Sequence, residues 1–135
     1  MAVLIDASVL IDWERGRLDV AHRVASRAEE GFFLSVVTAG ELLHGIHRAT
    51  DRGIRARRSA FVEAVLGEFP VLPVEMLTAR IHAELWADLA GRGELIGAHD
   101  LWLAATCIAR GLALVTGNAR EFSRIPGLEL EVWSE

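Results

Sequence analysis

The chain has 135 residues, of which 52% are hydrophobic and 24% charged, and its formal net charge is −5 at pH 7. These values exclude a disordered chain and are typical of one folded domain, which we expect over residues 1–135. No apolar run reaches the roughly 20 residues of a membrane span, and no basic region precedes the first apolar stretch, so neither a membrane segment nor a signal peptide is expected. Cys107 is the single cysteine, which is typical of a cytoplasmic protein without disulfides.

Hydrophobic periodicity predicts strands alternating with helices along the chain. Five short apolar runs are predicted strands: 2–5, 32–35, 70–74, 112–116 and 128–133. Amphipathic stretches between them are predicted helices, the last a short turn: 8–16, 19–31, 36–50, 54–69, 76–91, 98–111 and 118–125. Ser8 is the expected cap of the first helix, and Gly16 its end. The order indicates an α/β fold with a mainly parallel central sheet.

Acidic side chains recur where such a sheet binds ligands. In parallel α/β sheets, ligands bind outside the carboxyl ends of the strands. Asp6 directly follows the first predicted strand, and Asn118 follows the strand 112–116. Glu41 and Asp100 lie near the starts of predicted helices. If the helix amino termini meet the strand ends at one edge, these carboxylates converge.

Each carboxylate also has a purely structural explanation. Asp6 is suited to cap the helix that begins near Ser8. Glu41 completes a capping box of the S/T-x-x-E type with Thr38, and Asp100 is favoured by its charge near a helix amino terminus. The spacing alone leaves the structural and the functional explanations open.

A cluster of carboxylates requires a positive partner, because like charges at short range otherwise force one group to take up a proton. Hard oxygen ligands suit Mg²⁺ or Mn²⁺. The reaction that such a site favours is metal-assisted attack of water on a phosphodiester.

All fourteen basic residues are arginine, and five of them lie in the segment 48–58. The planar guanidinium group suits phosphate as well as carboxylate. The cluster is therefore a candidate for contacting nucleic acid, with a solvated helix face as the structural alternative.

Three segments in order carry a resemblance to a known family: "LIDASVLID", "VVTAGELLHGI" and "IGAHDLWLAATCIARGLALVTGNAREFSRIPGLELEVW". The chain resembles PIN-domain ribonucleases, and more specifically the VapC toxins of toxin–antitoxin pairs, over nearly its whole length. The resemblance implies a three-layer α/β/α sandwich with a mainly parallel sheet. It also implies Mg²⁺- or Mn²⁺-dependent cleavage of RNA in a single-stranded region, often a tRNA anticodon loop or a ribosomal RNA loop.

The resemblance assigns roles to particular positions. Asp6 and Asp100 match the residues most directly associated with metal, and Glu41 matches a third ligand or a group that orients water. Ser8 matches a polar residue that hydrogen-bonds the carboxylates. A T-x-N or T-x-D motif, in which Asp is common at the third position, is matched by Thr116 and Asn118, with Glu121 about one turn on. The neutral Asn118 lowers the negative charge, which favours one firmly bound metal, with Asn118 and Glu121 acting through water.

The partners implied are RNA, a VapB-type antitoxin that places a basic or apolar segment over the acidic groove, and a second copy of the chain. Five arginines are candidates for RNA contacts: Arg48, Arg55, Arg58, Arg120 and Arg124. Two other functions remain open at this stage. One is a PIN-like module that binds RNA or protein without cleavage, and the other is a metal-dependent phosphohydrolase acting on DNA or a small nucleotide.

Overall fold

A computed structural model describes residues 2–134 and contains one central sheet. Its strands within that range are β1 (Val3–Ile5), β2 (Phe32–Ser35), β3 (Val71–Leu72), β4 (Ala113–Thr116) and β5 (Leu130–Val132). They lie in the order β3-β2-β1-β4-β5, and every pairing is parallel. The prediction of a parallel sheet is confirmed, and the proline-flanked β3 is an edge strand.

Helices connect the strands. Over residues 2–134 they are α1 (Ala7–Glu14), α2 (Val20–Ala25), α3 (Val36–Arg48), α4 (Arg52–Glu68), α5 (Met76–Gly91), α6 (Ala98–Arg110) and a 3-10 helix (Phe122–Arg124). Within this range no helix has both the length and the apolar character required to cross a membrane.

The helices cover both faces of the sheet. Val3 and Ile5 of β1 belong to a buried cluster with side chains of α1, α2, α3 and α4, whereas Leu4 belongs to a second cluster with side chains of α5 and α6. This follows from the strand period, since successive side chains point to opposite faces. The predicted three-layer α/β/α sandwich is therefore confirmed.

The predicted helix over 19–31 is wrong in its second half. Asp19 caps α2 by accepting a hydrogen bond from the backbone N–H of His22, but the helix ends at Ala25. The turns that follow are held by Arg27, whose guanidinium binds Glu30 and reaches Glu131 on β5. This ion pair joins segments far apart in the sequence, and local periodicity contains no information about it.

Two smaller differences occur at helix ends. Asp6, rather than Ser8, occupies the N-cap position of α1, and Gly16, with φ of +73°, lies just beyond the end of that helix as predicted. The predicted helical turn over 118–125 narrows to the three residues of the 3-10 helix.

The sheet topology places β1 between β2 and β4, and the direction of strand succession reverses there. Such a reversal opens a crevice at the carboxyl ends of the central strands. Asp6 follows β1 and Thr116 ends β4, so both residues lie at this crevice.

Candidate active site

Asp6 is buried, with 6% of its surface exposed, and is held by two hydroxyl groups. One carboxylate oxygen, Oδ2, accepts hydrogen bonds from Ser8 Oγ and Thr116 Oγ1, each at 2.8 Å. The Asp6 backbone N–H donates to the carbonyl of Val115 and so continues the β1–β4 pairing. The Asp6 side chain makes no capping hydrogen bond to α1, so the helix-cap explanation for this carboxylate is wrong.

The same hydroxyls also fix the loop that follows β4. The backbone N–H of Gly117 donates to Ser8 Oγ at 3.0 Å, and that of Asn118 donates to Thr116 Oγ1 at 3.1 Å. Asn118 itself is exposed at the mouth of the crevice. Because each hydroxyl both donates to Asp6 and accepts from this loop, the carboxylate and the loop are positioned together.

Glu41 is contributed by α3 and pairs with a histidine of α6. Its Oε1 lies 2.9 Å from Nδ1 of His99, and 29% of its side chain is exposed. Burial raises the pKa of Glu41 and the Asp6 charge acts in the same direction, whereas His99 lowers it. This pairing holds the Glu41 carboxylate of α3 against the first turn of α6.

The predicted capping box of Thr38 and Glu41 is wrong. The N-cap of α3 is Ser35, whose side chain accepts from the backbone N–H of Val37, and Thr38 lies inside the helix. Thr38 Oγ1 is buried and has no hydrogen-bond partner among the described residues. Glu41 is thus free of a capping role and available to the crevice.

Asp100 lies in the first turn of α6, where Gly97 is the N-cap and has no side chain to offer. Burial raises the pKa of Asp100 to about 7, and the charges of Asp6, Glu121 and Glu41, with a hydrogen bond to Glu121, act in the same direction. The carboxyl groups of Asp6, Glu41 and Glu121 therefore all act on Asp100, and Glu121 also shares a hydrogen bond with it.

The donor set fits a hard divalent cation. Its side chains offer carboxylate, hydroxyl and amide oxygens, and the pKa of Asp100 is raised first by burial and then by the charges of Asp6, Glu121 and Glu41. Within residues 2–134, no group of three His, Cys, Asp or Glu side chains is arranged to hold one metal ion. Proteins usually hold Mg²⁺ with one or two carboxylates while it keeps several waters.

A groove of about 730 Å³ begins at Glu41 and His99 and runs between α1, α3, α4 and α6. Its apolar walls include Ile11, Val37 and Trp102, and its basic side chains are Arg15, His44, Arg48, Arg58 and His99. Sequence reasoning missed Arg15, His99 and Trp102. The sequence offered a signal only for His99, which directly precedes Asp100. Its partner Glu41 lies on another helix, so the pairing itself left no local pattern.

The structure brings two of the five predicted RNA-contacting arginines to this groove. Arg48 is exposed along it. Arg58 also lines it but donates to Glu14 Oε2 and to the Gly45 carbonyl, each at 3.1 Å. Arg48 thus retains more freedom to bind a phosphate.

The other three predicted arginines do not line this groove. Arg55 lies 3.1 Å from His47 Nδ1, and Arg124 donates to the carbonyl of Leu95 at 3.0 Å. Arg120 is exposed beyond Asn118. Any contact that these residues make with RNA therefore lies outside the groove.

Comparison with known proteins identifies the fold and the family. The family model of the PIN domain matches residues 3–128. This chain belongs to the PIN-domain family. It is 35% identical over 130 residues to Ribonuclease VapC1 of Rickettsia felis, covering 96% of this chain and 95% of that protein.

Two further comparisons place the chain among the VapC ribonucleases of the PIN family. It is 34% identical over 100 residues to the tRNA(fMet)-specific endonuclease VapC of Salmonella typhimurium, covering 74% of each chain. The crystal structure of DNA-bound VapBC from the same organism matches with a TM-score of 0.89 and 28% identity over 98% of each chain. PIN-domain ribonucleases are generally dependent on divalent metal ions, in agreement with the oxygen-rich crevice at Asp6 and Asp100.

Proposed function

We propose that this PIN-domain chain is the toxin of a toxin–antitoxin pair and acts as a Mg²⁺- or Mn²⁺-dependent endoribonuclease. Its substrate is a single-stranded loop of tRNA or ribosomal RNA. The observation that carries the proposal is the buried Asp6, held by Ser8 and Thr116 hydroxyls beside an Asp100 whose pKa is raised to about 7. Only a cation makes so acidic a crevice favourable for an RNA phosphate.

The side chains take distinct roles in this proposal. Asp6 and Asp100 hold the ion, with Glu41 as a further ligand or as the group that orients the attacking water. A bound divalent ion supplies water activated near neutral pH and neutralises the charge that develops on the phosphate. Asn118 and Glu121 act through water, while Ser8 and Thr116 fix the Asp6 carboxylate before substrate arrives.

Arginine side chains along the groove provide the affinity for RNA. Arg48 is exposed and lines the groove, so its guanidinium is placed to bind a backbone phosphate. The relative from Salmonella typhimurium is named as specific for tRNA(fMet), which supports a structured RNA with an exposed loop as the substrate class.

The test combines antitoxin-free protein with total RNA, with and without Mg²⁺ or Mn²⁺, beside an Asp6→Asn variant. We expect discrete products that require metal and decline roughly 100-fold or more in the variant. Asp88→Asn on the exposed face of α5 is the matched control and should cleave as the wild type does.

Two results would redirect the proposal. RNA that is bound but left intact by the wild type would indicate a binding module without catalysis. Faster cleavage of a DNA strand than of the same RNA sequence would indicate a DNA phosphohydrolase. Cleavage that survives in Asp6→Asn would contradict the role given to this carboxylate.

The proposal extends to partners and location. A VapB-type antitoxin is expected to cover the groove with a basic or apolar segment, and the solved VapBC complex from Salmonella typhimurium supports a partner of this kind. We expect one domain over residues 1–135, acting in the cytoplasm as a homodimer, for which the exposed Met76, Leu77 and Trp86 of α5 provide apolar surface. Light scattering of the purified chain measures the dimer, and stoichiometric loss of cleavage on adding the antitoxin measures the complex.

A further inference from the structure

Trp102 stands on α6 two residues after Asp100 and lines the groove beside Glu41 and His99. Its side chain is half-buried, so part of the indole remains open to the groove. His99 precedes it by three residues, which places both on one face of the helix. The proposed catalytic carboxylates and a large flat ring therefore border the same space.

One face of the Trp102 indole is covered by a second ring. The imidazole of His82, on α5, stacks on it with ring centroids 3.6 Å apart and an interplanar angle of 15°. His82 has only 8% of its surface exposed, and Trp86 contacts it edge-on at a centroid distance of 5.8 Å. The indole is held in one orientation by this stack, so little conformational freedom is lost when a ligand packs against it.

The chemistry of this part of the groove favours a nucleobase over a phosphate. Burial lowers the pKa of His82, so the imidazole that backs the indole is neutral at neutral pH and does not attract anions. Ile11 and Val37 add apolar wall, and the imidazole of His99 is already paired with the Glu41 carboxylate at 2.9 Å. Bases in single-stranded RNA are unstacked and commonly pack against aromatic rings.

We propose that Trp102 is a specificity-determining residue that stacks on one unpaired base of the RNA next to the cleavage site, with His82 as its positioning residue. The inference rests on the proposed ribonuclease function and deepens it. Arg48 then binds the backbone, whereas Trp102 determines where along a single strand the phosphodiester is presented to Asp6 and Asp100.

The test is a double-mutant cycle between the protein and the RNA. The probe is an RNA oligonucleotide that spans the cleavage site mapped with total RNA, made also with an abasic residue at each position in turn. Binding is measured by fluorescence anisotropy in the Asp6→Asn background, alone and combined with Trp102→Leu or Trp102→Phe. Leucine retains apolar volume without a flat face, and phenylalanine retains a smaller flat face.

We expect Trp102→Leu to weaken binding of the intact oligonucleotide roughly 10-fold and Trp102→Phe to weaken it much less. At one position the abasic residue should weaken binding to Asp6→Asn by a similar factor, with no further loss in Asp6→Asn/Trp102→Leu. Ile54→Ala, which trims an exposed apolar side chain of α4 outside the groove, should leave the abasic pattern unchanged.

Identical abasic penalties at every position, with and without Trp102→Leu, would overturn the stacking role while leaving ribonuclease activity intact. Trp102→Phe supplies the same comparison if Trp102→Leu does not fold, since a stacked base must also distinguish the two aromatic rings. Failure of the function itself would be distinct, because wild-type protein would then cleave no RNA in the presence of either metal.

Discussion

Asp6 is a carboxylate removed from water, and its two hydroxyl donors compensate for the lost hydration. Ser8 and Thr116 donate to the same oxygen, Oδ2, at equal distances of 2.8 Å. Neither hydroxyl donates to the other carboxylate oxygen, Oδ1. That oxygen is therefore the one suited to bind a ligand. Hydrogen bonds to ionised groups contribute about 1.5–3 kcal/mol each, so this support is substantial at the scale of one residue.

Ser8→Ala removes one of these donors together with the acceptor for the Gly117 N–H. We expect cleavage and Mn²⁺ affinity each to fall about 10- to 100-fold, because the carboxylate loses its fixed orientation. Cleavage kinetics and calorimetric titration with Mn²⁺ measure the two effects. Ser26→Ala, which removes only an exposed hydrogen bond to a backbone carbonyl, is the control. Unchanged Mn²⁺ affinity in Ser8→Ala would contradict the positioning role.

Asp100 gives the metal-free protein a pH dependence of known sign. Its pKa rises from 3.8 to about 7 on folding, chiefly through burial. The folded chain therefore keeps a proton that the unfolded chain releases, and this stabilising contribution is full below pH 3.8 and is lost as the pH rises through 7.

Asp100→Asn removes this titration. The wild type therefore loses stability between pH 5 and pH 8 through this group, and the variant does not. The melting temperature of the metal-free variant minus that of the metal-free wild type should increase over this pH range. Thermal denaturation in the presence of a chelator measures it, with Asp88→Asn as the surface control. A difference between variant and wild type that stays constant over this pH range would show that Asp100 does not titrate there.

At the scale of elements, the sequence contains enough to place strands and long helices. The amphipathic run predicted over 76–91 coincides with α5 (Met76–Gly91), and the placement of Asp6 and Thr116 at strand ends follows from the apolar runs before them. Side-chain contacts between different helices could not be predicted from the sequence. The Glu41–His99 pair joins α3 to α6, and the His82–Trp102 stack joins α5 to α6, so neither leaves a local pattern.

The end of α6 shows how one glycine fixes an element. Gly111 follows α6 with φ of +67°, in the left-handed region, and begins the chain's return towards β4. Gly111→Ala should lower the free energy of unfolding by about 1–2 kcal/mol because a side chain is disfavoured in this backbone conformation. Within residues 2–134, no atom beyond the adjoining chain segment lies within 4 Å of the added Cβ.

Gly67→Ala is the matched opposite, since Gly67 lies within α4 and also has open space around its Cβ position. This substitution should raise the free energy of unfolding by about 0.5 kcal/mol. Urea denaturation measures both variants. Equal effects of the two substitutions would mean that backbone conformation at Gly111 does not control the end of α6.

At the scale of the whole molecule, a net charge of −5 coexists with a groove that carries Arg15, Arg48 and Arg58. Arg48→Ala should weaken RNA binding at low salt and reduce the slope of log K against log salt by about 0.7, the value for one phosphate contact on a single strand. Arg92→Ala, which removes a guanidinium already paired with Asp88 and Glu94, should leave the slope unchanged. Binding titrations at several salt concentrations decide between them, and equal slopes for wild type and Arg48→Ala would remove Arg48 from the interface.

The central position of β1 bears on when this protein becomes active during its own synthesis. Asp6 is translated 110 residues before Thr116, yet the hydroxyl of Thr116 and the backbone N–H of Gly117 complete its surroundings. At about 5–20 residues per second, a ribosome needs roughly 6–20 s to go from one to the other. During that interval the growing chain holds its first carboxylate without the strand that closes over it. The crevice therefore assembles only after Thr116 and Gly117 have emerged from the ribosome.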